Sequence, residues 1–304
     1  MAADNPEPII AVGTIALDTV ETPSGRVEDV VGGSGAFFAL GASLLAPVRL
    51  VSIVGRDFSH WDDLDRPNID LEGVRRTDGK TFRWGGKYRD NINLRDTLFT
   101  ELGVIAGYVP ELPAGYRSGR TVCLANIDPP VQLRVLDSLD HPEFVVADTM
   151  NYWIQSQKES LLEVLRRSHV LILNDEEARQ LTGQPNLFEA VQEIQKLGPA
   201  TVVVKKGEHG VVLAGRDDYC ALPAYPLRRV VDPTGAGDCF AAGFVGYIQR
   251  AGSRSFDTMR TAAAYGSALA SFCCEDFSIR RIKKLSLAEL EERVESFRRL
   301  VHFD

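Results

Sequence analysis

The segment Val231-Asp232-Pro233-Thr234-Gly235-Ala236-Gly237-Asp238-Cys239-Phe240 sets two glycines and an alanine directly before a carboxylate, and an apolar, helix-like stretch continues through residues 240–248. Small residues let the backbone turn tightly with its N–H groups exposed. A helix beginning there adds its own unpaired first-turn N–H groups and the positive end of its dipole. Such a turn is a cradle for an anion, with phosphate the best match. Asp238 at its edge could take a proton from a hydroxyl attacking that phosphate. The purely local alternative is an acidic helix cap behind a tight turn of small residues.

Further polar residues stand where strands should end. Asn174 and Glu177 follow the apolar run 170–173. They have the spacing of a helix-start capping pair, and they also fall at the sheet end where α/β proteins place ligands. Asp18 lies just past the run 9–13, Gly32 and Gly33 precede an apolar helical stretch at 35–45, and Lys205-Lys206-Gly207-Glu208-His209-Gly210 follows the run 201–204. Of the two lysines, one can meet phosphate while the other faces solvent, because neighbours on a strand point oppositely. Neither GxxxxGK[ST] nor a GxGxxG after the first strand occurs, so a bound nucleotide would belong near the C-terminal glycine turn.

The elements that must hold these groups are legible as a rhythm. Strand-like runs at 9–13, 48–55, 121–125, 144–147, 170–173 and 201–204 are interspersed with helical segments at 35–45, 131–139, 156–167 and 187–197. That pattern predicts βαβ units and a mainly parallel sheet, followed by helices at 237–250, 258–273 and 287–300. Residues 16–31 and 72–102 break it, being polar, turn-rich and β-prone. A small sheet built from both could cover a cleft and keep water from competing as nucleophile; a surface hairpin without a chemical role is the plain alternative.

The net charge of −8 argues against a broad nucleic-acid footprint. The five cysteines, at 123, 220, 239, 273 and 274, include no CxxC pair, which suits reduced thiols in an intracellular protein better than disulfides or a zinc knuckle. The N-terminal residues lack a basic-then-apolar leader and no run of 18 apolar residues occurs, so cytoplasmic residence without a membrane span is the expectation.

Asp232-Pro233-Thr234-Gly235-Ala236-Gly237-Asp238 resembles the C-terminal signature of the ribokinase-like, or pfkB, family of carbohydrate and nucleoside kinases, loosely D-T-x-G-A-G-D. Gly32-Gly33-Ser34-Gly35-Ala36 is similar to that family's early double-glycine motif, Asn174-Asp175-Glu176-Glu177 to its N-x-x-E motif, and Lys206-Gly207-Glu208-His209-Gly210 to its nucleotide-side G-x-x-G turn. The four landmarks stand in the family's order and span nearly the whole chain. The resemblance implies one kinase domain over residues 1–304, an α/β fold in three αβα layers around a mainly parallel sheet, with a small β lid from about 16–31 and 72–102.

It further implies transfer of the γ-phosphoryl group of ATP, with Mg²⁺, to a hydroxyl of a sugar or sugar-like acceptor. Asp238 would be the general base at an ordinary Asp pKa of about 4, and the amides of Gly235, Ala236 and Gly237 the anion hole. Asn174 and Glu177 would organise Mg²⁺ and its waters. Asn174, Lys205, Gly207, Gly210, Thr234, Gly235 and Gly237 would line the nucleotide, and Asp18, Gly32, Gly33, Ser34 and Phe37 the acceptor. A K⁺ ion near Asp232 and Ser278 follows from the same likeness, and the small sheet could pair two subunits into a homodimer. Ribokinase itself carries a Lys and an Asn where this chain has Ser34 and Phe37, which replaces two hydroxyl contacts with an apolar or stacking wall and turns the reading away from ribose. With Trp84, Tyr88 and Arg95 in the lid segment, a nucleoside acceptor is the close alternative. A non-catalytic sugar or nucleotide sensor on the same fold is the third.

Overall fold

A computed structural model describes residues 6–302; residues 1–5, which open the N-terminal stretch considered above, lie outside the described residues, as do 303–304. Fourteen strands are present among the described residues: β1 (Ile9–Val12), β2 (Ala16–Thr22), β3 (Gly25–Gly32), β4 (Val48–Gly55), β5 (Ile69–Asp70), β6 (Val74–Thr77), β7 (Phe82–Tyr88), β8 (Arg95–Glu101), β9 (Thr121–Leu124), β10 (Phe144–Asp148), β11 (Val170–Asn174), β12 (Thr201–Lys205), β13 (Val211–Ala214) and β14 (Tyr219–Leu222). The main sheet runs β14-β13-β12-β11-β10-β9-β1-β4-β5, with β6 also on β4. From β12 to β4 every neighbouring pair is parallel.

Side-chain alternation divides the core into two layers. Ile9 and Ala11 of β1, Val170 and Ile172 of β11 and Val203 of β12 pack on one face with helices Ser34–Ala42, Ala236–Ala251 and Phe256–Cys273. Ile10, Val12, Leu171, Leu173, Val202 and Val204 pack on the other with helices Pro129–Ser138, Lys158–Arg166 and Leu187–Lys196. A sheet buried on both sides needs apolar residues throughout its strands, which is why these runs read as continuous rather than alternating. The expected three-layer α/β sandwich is the observed fold.

A second sheet of four strands, ordered β3-β2-β7-β8, stands apart from the main one. The boundary expected at residue 72 moves: Val74–Thr77 pairs in parallel with β4 and extends the main sheet, and the small sheet takes up the chain only at Phe82. Charged Arg75 and Arg76 made this strand resemble its polar neighbours, but an edge position beside β4 tolerates exposed charge. No helix among the described residues is long and apolar enough to cross a membrane.

Candidate active site

Three adjacent strands end together. Asp148 closes β10, Asn174 closes β11 and Lys205 closes β12, with Asp148 abreast of Ile172 and Asn174 abreast of Lys205. Their side chains therefore gather at the C-terminal edge of the parallel sheet, where open α/β folds bind ligands. The mouth of helix Ala236–Ala251 faces the same ground.

That helix begins at Gly235, whose φ of 79° is left-handed and strained for any residue with a Cβ. A methyl there would also lie 2.5 Å from three carbons of the Phe37 ring. Phe37 is 1% exposed, so it supports the glycine turn from beneath and offers no stacking wall to an acceptor, contrary to expectation. The Ala236 N–H donates to Pro233 O at 3.2 Å and closes the turn, which removes it from the expected anion hole. The following first-turn amides, at Gly237 and Asp238, have no helical acceptor.

Asp238 sits at this mouth, half-buried. Burial, and then the Asp148 carboxylate, push its pKa up to about 7 against the pull of Lys205. The ordinary value expected from the sequence is thus corrected: loss of hydration disfavours the ionised form. A carboxylate so tuned is a stronger base than a solvated one, and it ionises within the neutral range.

Lys205 Nζ lies 3.2 Å from Asp148 Oδ2, with the two side chains 20% and 6% exposed. The same ammonium lies 3.0 Å from where a Cβ on Gly237 would stand. Lys205 and Gly237, expected on the nucleotide side, are therefore brought together, and Asp148 joins them without having been assigned a contact.

Asn174 and Glu177 form a complete capping box: Asn174 Oδ1 accepts from the Glu177 N–H at 2.8 Å, and Glu177 Oε2 accepts from the Asn174 N–H at 2.7 Å. The local and the metal readings are compatible, since the cap engages Glu177 through only one carboxylate oxygen. Glu177 is buried, and desolvation raises its pKa to about 7. A nearby cation would relieve that cost. Gly207 and Gly210 shape the turn after β12, closed by Lys206 N–H donating to Gly210 O at 2.7 Å.

Asp18 of β2 lies directly over Gly32, where a methyl would overlap its carboxylate. It is 5% exposed. Burial, then Asp232 and Asp238, raise its pKa to about 8, with Arg95 opposing. Ser34, expected here, is spent on the scaffold: its Oγ donates to Asn126 O at 2.8 Å and accepts from the Thr14 N–H at 3.1 Å. Gly33 starts the adjoining helix at a φ of 93°.

The small sheet is fastened to the glycine segment. The hydroxyls of Tyr88 and Thr234 lie 3.1 Å apart, and Thr22 Oγ1 donates to Val231 O at 2.8 Å. At the tip beyond β7, Asn93 Nδ2 donates to Glu208 Oε1 at 2.9 Å. The Thr234 hydroxyl, expected at the nucleotide, thus meets the small sheet, while its N–H donates to Asp232 Oδ1 at 2.9 Å. Arg95 stacks over Trp84 at 5.0 Å. Open first-turn amides beside a carboxyl of raised pKa, with a second buried carboxyl on the small sheet, are compatible with the transfer of a phosphoryl group to an alcohol.

Comparison with known proteins agrees. The model of the "pfkB family carbohydrate kinase" matches residues 139–283. The cytidine kinase of Thermococcus kodakarensis is 30% identical over 250 residues, covering 80% of this chain and 88% of that protein. The nucleoside kinase of Methanocaldococcus jannaschii is 27% identical, with 88% and 91% covered. Among solved structures, Arabidopsis thaliana ribokinase complexed with ribose and ATP superposes with a TM-score of 0.76 at 22% identity, over 96% of this chain and 99% of that one. The protein is a phosphotransferase with an alcohol acceptor. It belongs to the pfkB family of carbohydrate kinases.

Proposed function

We propose that this kinase transfers the γ-phosphoryl group of ATP to a ribose hydroxyl of a nucleoside, with Asp238 as general base. The observation that carries the reading is Asp238 at the start of the helix that follows the Gly235 turn, near enough to Asp18 for the two carboxylates to repel each other. The acceptor oxygen attacks the γ-phosphorus, its proton passes to Asp238, and the bond from phosphorus to the β–γ bridging oxygen breaks to leave ADP. The Gly237 and Asp238 amides steady the charge on the transferring oxygens. Asn174, Gly207 and Gly210 border the nucleotide, and the Gly235 turn lets its backbone approach the phosphates. Mg²⁺, when bound, neutralises charge on the phosphates; Glu177, through the oxygen outside its cap, and Asn174 would hold its waters. Asp232, buried among backbone donors with its pKa raised by desolvation, suits a K⁺ neighbour on the same argument.

At the acceptor end Asp18 receives the sugar hydroxyls, while Gly32 and Gly33 keep the floor low. The cytidine and nucleoside kinase relatives support a base-bearing acceptor, and Trp84 with Arg95 supplies the aromatic and cationic surface to meet it. The small sheet serves as a lid. Its outer strand β8 is exposed along its length, and Leu94 and Leu98 beside and within it are 50% and 48% exposed. A second copy of the chain covers this edge in our reading, and light scattering should return twice the monomer mass.

The acceptor reading is tested by ADP release with ATP, Mg²⁺ and a panel of nucleosides and free sugars. Turnover with cytidine or another nucleoside is expected. Turnover confined to free sugars would transfer the assignment to a sugar kinase, and nucleotide and acceptor binding without turnover would mark a sensor.

A further inference from the structure

We propose that Lys205 is a catalytic residue that contacts the transferring phosphoryl group at the Gly237 mouth, and that Asp148 is the positioning residue that holds its ammonium there. The proposal rests on the kinase reading and deepens it: Lys205 acts on the group being moved, beyond lining a nucleotide site.

Three observations converge. Lys205 and Asp148 end strands that flank β11, so their 3.2 Å contact bridges the strand between them. The ammonium lies 3.0 Å from the position a Gly237 Cβ would take, beside the amides left open by the helix start. The ammonium carries three donors, and among the described residues it donates to Asp148. Burial works against its charge, yet the carboxylates of Asp148, Glu177 and Asp238 hold its pKa above the ordinary lysine value. A permanently charged lysine in this place offers an anion both charge and hydrogen bonds.

A structural explanation competes, in which the lysine only balances buried carboxylates. Residues 202–204 of the same strand are valines, and a buried ion pair is often no more stabilising than apolar replacements of similar volume. The two accounts separate in a double variant. In the full-length protein, Lys205→Met and Asp148→Asn each leave one buried group without its partner and lower the melting temperature. The double variant Lys205→Met/Asp148→Asn removes both charges and regains most of that loss.

Calorimetric binding of ADP and of the β,γ-imido analogue of ATP, both with Mg²⁺, then reads the contact. We expect Lys205→Met and the double variant to bind the triphosphate analogue at least tenfold more weakly than the parent, with ADP affinity changed less than about twofold; Asp148→Asn should show a smaller selective loss. A double variant that recovers the parent's preference for the triphosphate, or variants that weaken both nucleotides alike, would overturn the proposal. An unaltered protein that binds both nucleotides yet phosphorylates no acceptor would instead count against the kinase reading, on a separate axis.

Discussion

The proposed phosphoryl and acceptor ends of the site are assembled by different means. At the phosphoryl end, Asp148, Asn174 and Lys205 are fixed by the register of neighbouring parallel strands, and Asp238 by the start of a long helix. The cation is built in, because Lys205 is paired to Asp148 and lies against the glycine turn. At the proposed acceptor end, Asp18 is a buried residue of the four-stranded sheet itself. The charge opposing its neutralisation comes from Arg95, which extends from exposed β8 and is occupied with the Trp84 ring. One end is held by the protein's own ion pair. In the proposed function the other holds a carboxyl whose hydrogen bonding an acceptor completes, and such sites trade stability for binding.

That contrast can be broken most severely at Gly235. Gly235→Ala drives a methyl against Phe37 in a left-handed conformation, and we expect roughly a 10³-fold loss of kcat/KM. Retention of the parent's rate would show that the turn need not be tight. A second substitution, Asp18→Asn, should lower kcat/KM for the acceptor by about 100-fold while ATP-analogue affinity stays near the parent's. It should also stabilise the ligand-free fold, with a pH dependence of defined sign. The folded-state pKa of Asp18 is raised to about 8, so its favourable contribution is full below the unfolded value of about 4 and is lost as pH climbs to about 8. Melting curves of parent and variant should therefore coincide near pH 4 and diverge in the variant's favour by pH 8. The smallest effect belongs to Ser34→Ala, which removes scaffold bonds and no ligand contact: about 1 kcal/mol of stability with an unchanged acceptor KM. A tenfold rise in that KM would return Ser34 to the acceptor site.

The same contrast explains what the sequence could disclose. Residues 232–238 lie in one contiguous turn, and Asn174 with Glu177 in one helix start, so spacing alone exposes them. Asp148 and Lys205 are 57 residues apart, and their meeting depends on the order β10-β11-β12, which no local pattern encodes. Ser34 and Phe37 follow Gly32 and Gly33 closely, but the side-chain directions of that helix bury both. Residues 74–77 share the polarity of the small sheet and differ in pairing with β4 of the main sheet. The pKa values of Asp18 and Asp238 follow from burial created by packing across the whole cleft, which residue type cannot announce.

The most direct test of Asp238 as the base is Asp238→Asn compared with the parent across pH at saturating ATP, with the acceptor taken from well below its KM to saturation. The parent's kcat/KM should rise through about pH 7 as the carboxyl ionises. The variant should melt no lower than the parent, and higher as pH rises above about 7 because the buried charge is gone; it should keep its nucleotide affinity, lose roughly 10³-fold in turnover, and no longer show that acid limb. Turnover within a few-fold of the parent, with the limb intact, would contradict the assignment of Asp238 as the base.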